Sequence, residues 1–291
     1  MTYAEKLSMS LLSARNADGG WPLRHGHSWT EPTALALLAL QANNDSTEIR
    51  SRAAAWIANQ QSPDGGWPPC AAVPTSTWVS SLALLSLARE KAYSSGCPRG
   101  LQWLMRQMCP DVSTLQGYLQ HFLGISPARA PGGSPWFPGT SAWVIPTSFS
   151  ILAFSCWAKR LPDHGLPEIA VRAQDYLLSH RCPDGGWNHG GSLQRSETSP
   201  SYGETTGLAL LALAHCRSPA LAGSLRLARE FLRHPDSPEG LAWLVMGLAA
   251  HGQDTAEIRP LVSLKTTRDI ALQLIACAAL RGHNPFLLSA V

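Results

Sequence analysis

Two kinds of helical segment alternate along the chain. One kind carries a single apolar face, as in RAAAWIANQQ from Arg52, and the other is apolar nearly all round, as in TALALLAL from Thr33. Helices of the first kind lie at a surface, whereas helices of the second kind are buried. The alternation predicts outer–inner pairs, which we place at 2–14 with 31–42, 46–60 with 75–90, 98–108 with 146–159, 166–180 with 204–216, 218–234 with 238–251, and 254–263 with 267–282.

Six similar hairpins of roughly 45 residues indicate a repeat architecture. They can close into a ring whose inner helices line a central funnel. An open solenoid is the competing arrangement, but it should end in polar capping repeats, and the last helix, from Asp269, is apolar. We therefore predict an all-α fold, a single α/α toroid over 1–291, with a long loop insertion at about 110–145 and no sheet beyond short hairpins in the long loops.

The run Asp-Gly-Gly-Trp occurs three times between helices and ends at Trp21, Trp67 and Trp187. Two glycines after an outer helix supply a left-handed cap and a tight turn, and aspartate tolerates turn geometry. No Lys-Ser or Lys-Thr follows, so the run is not a phosphate-binding loop. We interpret it as a structural turn whose tryptophan covers the hairpin.

Composition narrows the classes of function. The net charge is +3 and no long basic run is present, so we expect no nucleic-acid partner. The seven cysteines are dispersed without metal-ligand spacing, which is typical of reduced thiols in a cytoplasmic protein and predicts neither a metal nor another cofactor. We find no signal-peptide pattern, and the longest apolar run is too short to span a bilayer, which leaves peripheral membrane contact open.

One repeat resembles a known motif. The segment RAAAWIANQQSPDGGW, Arg52 to Trp67, is similar to the QW motif of squalene-hopene and oxidosqualene cyclases, and the copy from Arg172 to Trp187 has Arg181 at the place of the glutamine. The resemblance implies the prenyltransferase and squalene oxidase repeat superfamily, whose domains are α/α toroids. The Asp, Cys and His zinc site of protein prenyltransferase β-subunits has no evident counterpart here.

A second resemblance concerns chemistry. Class II terpene cyclases protonate an alkene or epoxide through Asp-x-Asp-Asp followed by Thr-Ala, and the sequence WTEPTA is similar to it. Thr33 and Ala34 match, Glu31 falls on the central, proton-donating acid, and Trp29 and Pro32 stand at the other two acids. The resemblance implies that Glu31 is an acid catalyst. It also implies a partner, since class II cyclases usually join two toroids.

The register of the inner helices predicts a cluster of carboxylates. Glu31 and Glu204 each stand two residues before the Thr that opens an apolar helix, and Glu239 is a third candidate. In a closed ring these helix N-termini meet around one mouth of the funnel. The competing interpretation is plain stabilisation of the helix dipole by about 0.3–1 kcal/mol, which favours the charged carboxylate. Only burial or a neighbouring carboxylate would raise the pKa enough for acid catalysis.

Aromatic and histidine side chains concentrate in the loops before the inner helices. The first loop carries His25, His27 and Trp29, the insertion carries Trp136, Phe137 and Trp143, and the loop before Glu204 carries His189, Glu197 and Tyr202. An aromatic funnel suits an apolar ligand, and ring faces stabilise carbocations. Packing within the hairpins is the alternative for each aromatic taken alone.

These patterns predict a terpene cyclase-like or isomerase-like enzyme acting by acid–base chemistry on an isoprenoid or polyene-like substrate. We assign catalysis to Glu31, Glu204 and His25, and substrate binding to Trp29, Trp78, Trp136, Phe137, Trp143, His189 and Tyr202. Two alternatives stay open. One is a non-catalytic toroid that binds a lipid or a protein partner. The other is half of a two-toroid cyclase, completed by a homodimer or a partner toroid.

Overall fold

The computed structural model describes residues 1–108, 132–190, 199–255 and 264–287. Within these ranges the chain is helical, with one two-stranded antiparallel hairpin, β1 (Ser134–Pro135) and β2 (Ala142–Trp143). The α-helices are α1 (Tyr3–Ser13), α2 (Thr30–Ala42), α3 (Thr47–Asn59), α4 (Val79–Leu87), α5 (Cys97–Gln107), α6 (Val144–Ala158), α7 (Leu166–Ser179), α8 (Gly203–Ala212), α9 (Leu221–Arg233), α10 (Pro238–Ala250) and α11 (Thr267–Leu280). The prediction of an all-α fold is confirmed.

Six inner helices form a closed ring. In order they are α2, α4, α6, α8, α10 and α11; each contacts the next, and α11 returns to contact α2. The helices α1, α3, α5, α7 and α9 pack around this ring. The inner helices are buried on all sides, as their sequences predict, and the core lies between the two layers. The toroid is therefore closed rather than an open solenoid.

Two predicted elements fall partly outside the described residues. The sixth outer segment, predicted at 254–263, lies outside them from position 256 onward, and the insertion predicted at about 110–145 lies outside them up to 131. Two boundaries differ from the prediction by four residues: α4 was predicted from position 75 but begins at Val79, and α8 was predicted to run to 216 but ends at Ala212. Residues before α4 belong to the turn, because Ser76 Oγ donates to Asp64 and the Thr77 N–H donates to the Trp67 carbonyl.

The three Asp-Gly-Gly-Trp runs make the same turn. Each tryptophan is at most 1% exposed, and each indole N–H donates to the carbonyl ten residues before it. The pairs are Trp21 with Leu11 at 2.7 Å, Trp67 with Ile57 at 2.8 Å, and Trp187 with Leu177 at 2.7 Å. A buried indole needs such a partner. The turns therefore bind each tryptophan to the outer helix that precedes it.

A fourth, degenerate copy of this turn precedes α6. Gly132, Gly133 and Ser134 take the place of Gly-Gly-Trp, and the Ser134 N–H donates to Thr147 Oγ1 at 2.8 Å. The Trp67 N–H donates to Ser80 Oγ at 2.8 Å in the same way. The sequence concealed this copy because serine stands where the other copies have tryptophan. It shows that the turn, rather than the tryptophan, is the repeated unit.

We expect Trp67→Ala and Trp187→Ala each to lower the free energy of unfolding by about 3–5 kcal/mol, the usual cost of emptying a buried aromatic site. Urea unfolding followed by circular dichroism measures the change. Phe137→Ala is the control, because this side chain is 52% exposed and should shift stability by less than about 0.5 kcal/mol. A tryptophan variant that kept full stability would contradict the structural assignment of the turn.

Candidate active site

The mouth of the ring carries one side chain from the start of each inner helix. In ring order they are Glu31, Trp78, Ile145, Glu204, Glu239 and Arg268, and all six line one cavity of about 410 Å³. Four neighbours in this order are charged, and we call Glu204, Glu239, Arg268 and Glu31 the charged arc. Trp78 and Ile145 occupy the opposite, apolar side. The mouth is therefore polarised across its diameter.

A second layer lies one helical turn deeper. It consists of the residues four positions after five of the mouth residues, and its members are Leu35, Phe149, Leu208, Trp243 and Leu272. Because an α-helix has 3.6 residues per turn, positions four apart share a face. The cavity thus combines a charged mouth with an apolar, partly aromatic floor.

Backbone hydrogen bonds tie the mouth to the turns. In each of the four turns, the residue two positions after the tryptophan, or after Ser134 in the degenerate copy, accepts a hydrogen bond at its carbonyl. The donor is the N–H of a residue at the start of the inner helix that comes before this turn in ring order, so that α11 precedes the first turn. Four such bonds join Leu23 to Thr267, Pro69 to Thr30, Trp136 to Trp78, and His189 to Val144, at 2.8–3.2 Å. Two of these turn residues, Trp136 and His189, also line the cavity. The repeated turns therefore position both the helix starts and part of the wall.

Arg268 joins two of the carboxylates. Its Nη2 lies 2.8 Å from Glu239 Oε2, and its Nη1 lies 3.5 Å from Glu31 Oε1. Glu31 and Glu239 are 23% and 22% exposed, and both line the cavity. Trp243 Nε1 also donates to Glu239 Oε1 at 3.4 Å. Glu239 is consequently the better-held partner of Arg268.

The cavity shifts the acidity of its carboxyl groups. Burial raises the pKa of Glu31, and the charge and hydrogen bond of Arg268 offset only part of that effect. Burial raises the pKa of Glu239 to about 7; Arg268 opposes the rise, and the negative charges of Glu204 and Glu31 add to it. Glu31 and Glu239 face one guanidinium in a partly desolvated space. Both carboxyl groups therefore retain a proton at higher pH than an isolated carboxyl does.

The structure brings together five of the ten residues that the sequence singled out. Glu31, Glu204, Trp78, Trp136 and His189 line the same cavity. Glu239, which the register suggested as a third carboxylate, joins them.

Tyr202 lies beside this cavity rather than in it. It is 42% exposed, its ring centroid lies 5.3 Å from that of His189, and it lines a neighbouring space of about 240 Å³. That space shares His189 and Glu204 with the central cavity. We therefore correct its placement from the funnel wall to a side chamber.

Four other predicted residues, His25, Trp29, Phe137 and Trp143, do not line the central cavity. His25 is exposed, and Trp29 stacks on His27 with ring centroids 5.2 Å apart. Phe137 is more than half exposed. Trp29 and Trp143 both precede a helix in extended conformation, so the cavity-facing positions fall two residues later. Glu197 lies outside the described residues.

Sequence reasoning missed Arg268 and all five residues of the floor. A signal for Arg268 was present, because it follows Thr267 as Glu31 follows Thr30, and both threonines donate to the carbonyl of a turn. The floor residues could have been predicted from the mouth residues, because positions four apart lie on the same face of a helix. Phe149 and Trp243 stand at those positions, after Ile145 and Glu239.

The described residues offer neither a metal site nor a membrane-spanning helix. No group of three or more His, Cys, Asp or Glu side chains in them is arranged to hold a metal ion. Among the same residues, no helix combines the length and apolar character that crossing a membrane requires.

Comparison with known proteins finds a relative in sequence and several proteins that share the fold. No model of a known protein family matches it. The chain is 27% identical to drimenyl diphosphate synthase from Streptantibioticus cattleyicolor over 218 residues, which are 72% of this chain and 37% of that protein. The chain thus spans little more than a third of the length of this relative.

Solved structures share the fold. A variant of the type II terpene cyclase MstE from Scytonema, in complex with geranylgeranyl dihydroxybenzoate, has a TM-score of 0.59 at 15% identity, covering 98% of this chain and 97% of that one. The endoglucanase Cel10 from Klebsiella pneumoniae, a family 8 glycosyl hydrolase, has a TM-score of 0.64 at 15% identity, covering 95% and 99%. The chain therefore resembles drimenyl diphosphate synthase in sequence, and its α/α toroid is shared by a type II terpene cyclase and a glycosyl hydrolase.

The raised pKa of Glu239 predicts a pH-dependent stability. The folded-state value is about 7 and the ordinary value is 4.5, so the folded protein binds more protons between these limits. Its stability should fall as pH rises from about 4.5 to about 7. We expect Glu239→Gln to reduce that fall by about 1–3 kcal/mol, as measured by urea unfolding at a series of pH values.

Glu230→Gln on the exposed side of α9 is the matched control, and it should leave the pH profile of stability unchanged. If Glu239→Gln showed the same pH profile as the wild type, the electrostatic account of the charged arc would be wrong.

Proposed function

We propose that this protein catalyses the proton-initiated cyclisation or isomerisation of a linear isoprenoid or polyene-like substrate held in the central cavity. The observation that carries the proposal is a partly buried carboxyl with a raised pKa, Glu31, at the mouth of a cavity with an apolar floor. A general acid must retain a proton at the working pH and deliver it to a bound substrate. A desolvated carboxyl above an apolar chain meets both requirements.

Glu31 is the proposed acid, and the Arg268–Glu239 pair is its support. Arg268 lies closer to Glu239 than to Glu31, 2.8 Å against 3.5 Å. The guanidinium lowers the pKa of both carboxyl groups, but burial outweighs it, and the pKa of Glu31 stays above its ordinary value. This assignment agrees with the resemblance of WTEPTA to the cyclase acid motif, in which Glu31 takes the place of the central acid.

The reaction needs no co-reactant. The proton of Glu31 adds to one carbon of an alkene, the π electrons form the new C–H bond, and the adjacent carbon becomes a cation. A second alkene of the same chain can attack this cation and close a ring. Loss of a proton from a neighbouring carbon to a carboxylate of the charged arc then gives a neutral isomer of the substrate.

Aromatic rings surround the space in which a cation would form. Trp78 lies 5.0 Å from Trp136 and 5.5 Å from Phe149, and Phe149 lies 5.6 Å from Trp243, measured between ring centroids. All four line the cavity. Ring faces attract cations most strongly where water is excluded, so this cluster suits a carbocation intermediate.

Similarity to known proteins supports an isoprenoid substrate. The sequence relative is named for a drimenyl diphosphate product, and the complexed cyclase holds a geranylgeranyl dihydroxybenzoate. A cytoplasmic location, peripheral membrane contact, and a second toroid in a homodimer or a partner protein remain predictions.

Glycoside hydrolysis is the second candidate, because it also uses paired carboxylates and the fold is shared with a family 8 glycosyl hydrolase. A sugar presents hydroxyl groups on all sides, and a site that binds it needs polar partners for them. The floor offers Leu35, Leu208 and Leu272 with two aromatic rings. This lining favours a hydrocarbon over a saccharide.

The test is to incubate the protein with linear polyprenyl alcohols and diphosphates in deuterium oxide and to analyse extracts by mass spectrometry. Proton-initiated cyclisation should give cyclic isomers that carry one deuterium at the protonated carbon. We expect Glu31→Gln to retain the fold and to lower turnover by at least about 100-fold, since an amide cannot deliver the proton.

Glu204→Gln is the matched variant, because it removes a carboxylate of the same charged arc and leaves Glu31 in place. It should lose less turnover, because Glu31 is still present to deliver the proton. Undiminished turnover in Glu31→Gln would refute the acid assignment. Hydrolysis of β-glucan or starch would favour the glycosidase, and tight binding without turnover would favour the non-catalytic toroid.

A further inference from the structure

The chain turns back into the ring after its last inner helix. α11 ends at Leu280, which is 40% exposed, and the described chain continues to position 287. Phe286, six residues later, is only 2% exposed. A large side chain from the segment that follows α11 is thus buried against residues inside the ring.

Phe286 packs against the floor of the cavity from behind. Its ring centroid lies 5.5 Å from that of Trp243 and 6.3 Å from that of Phe149, and these two rings lie 5.6 Å from each other. Trp243 and Phe149 line the cavity, whereas Phe286 does not. The three rings therefore form a double-layered floor, with Phe286 as its lower layer.

A local turn holds Phe286 in this place. Its N–H donates to Asn284 Oδ1 at 3.1 Å, and the N–H of Leu287 donates to the Asn284 carbonyl at 3.2 Å. Side chains of asparagine commonly stabilise turns in this manner. The position of the ring is consequently set by its own segment as well as by the rings above it.

We propose that Phe286 is a specificity-determining residue that sets the depth of the cavity and hence the length of hydrocarbon that can bind. The inference rests on the proposed function, since it takes the occupant to be a linear hydrophobic chain. The floor rings Phe149 and Trp243 are supported from below by Phe286. Without the ring of Phe286, an apolar space opens under them, and such spaces stay dry and accept apolar groups.

The experiment compares the wild type with Phe286→Ala and Phe286→Leu. Saturated and isoprenoid alcohols of ten, fifteen and twenty carbons are the probes, and isothermal titration calorimetry measures their affinities. We expect the affinity ratio of the twenty-carbon to the fifteen-carbon probe to rise by at least about tenfold in Phe286→Ala, because more of the longer chain is buried. Phe286→Leu should give a smaller increase.

Phe154→Ala is the matched control. Phe154 is fully buried on α6, the helix that carries Phe149, and it is not part of the cavity lining. This variant should lose comparable stability and keep the wild-type length preference. Benzene should raise the melting temperature of Phe286→Ala, as it does when it fills an apolar hole, and this reading shows whether the space has opened.

The outcomes separate this inference from the proposed function. If benzene stabilises Phe286→Ala but the length preference is unchanged, the space is sealed from the cavity and the inference is wrong. An unchanged preference without a benzene effect also overturns it, because the floor has then collapsed. A shifted length preference with no turnover of any isoprenoid would uphold the inference and refute the catalytic proposal. Failure of every probe to bind either protein overturns both.

Discussion

The bonds between each turn and the inner helix before it organise this molecule. Four turn carbonyls accept an N–H from the first residues of the preceding inner helix, across positions as distant as Leu23 and Thr267. An N–H at a helix start has no partner within its own helix, so these bonds satisfy groups that burial would otherwise penalise. They also fix the starts of four of the six inner helices, α2, α4, α6 and α11. The mouth residues of these four helices depend on them for their position.

The same arrangement explains why the carboxylates do more than stabilise helix dipoles. A single glutamate at an exposed helix start gains a little from the dipole and stays ionised. Here three glutamates converge on one cavity and two of them share Arg268. Burial raises the pKa of Glu31, and burial together with the charges of Glu204 and Glu31 raises the pKa of Glu239. The raised pKa of these two carboxyl groups therefore comes from side chains of several helices brought to one cavity, and a single helix does not produce it.

Sequence periodicity predicted the helices well and the site in part. The inner helices were recognisable because they are apolar on all sides, and register alone brought Glu31 and Glu204 to one mouth. Trp29 and Trp143 were assigned to the cavity wall because they are aromatic and lie in loops before inner helices. Whether a side chain faces the cavity depends, however, on the residue at which its helix begins, and both tryptophans stand just before that residue. The degenerate turn at Ser134 and the burial of Phe286 were beyond prediction, since each depends on tertiary packing that leaves no periodic trace.

The ion pair between Arg268 and Glu31 also joins the first inner helix to the last. These two residues are far apart in the chain, and only the contact of α11 with α2 brings them together. The seam of the ring therefore runs through the charged arc. A chain whose final helix has not docked leaves Glu31 without its counterion and the cavity open along one side, exposed to water. The proposed proton transfer, which needs a cavity shielded from water, therefore requires the ring to be closed.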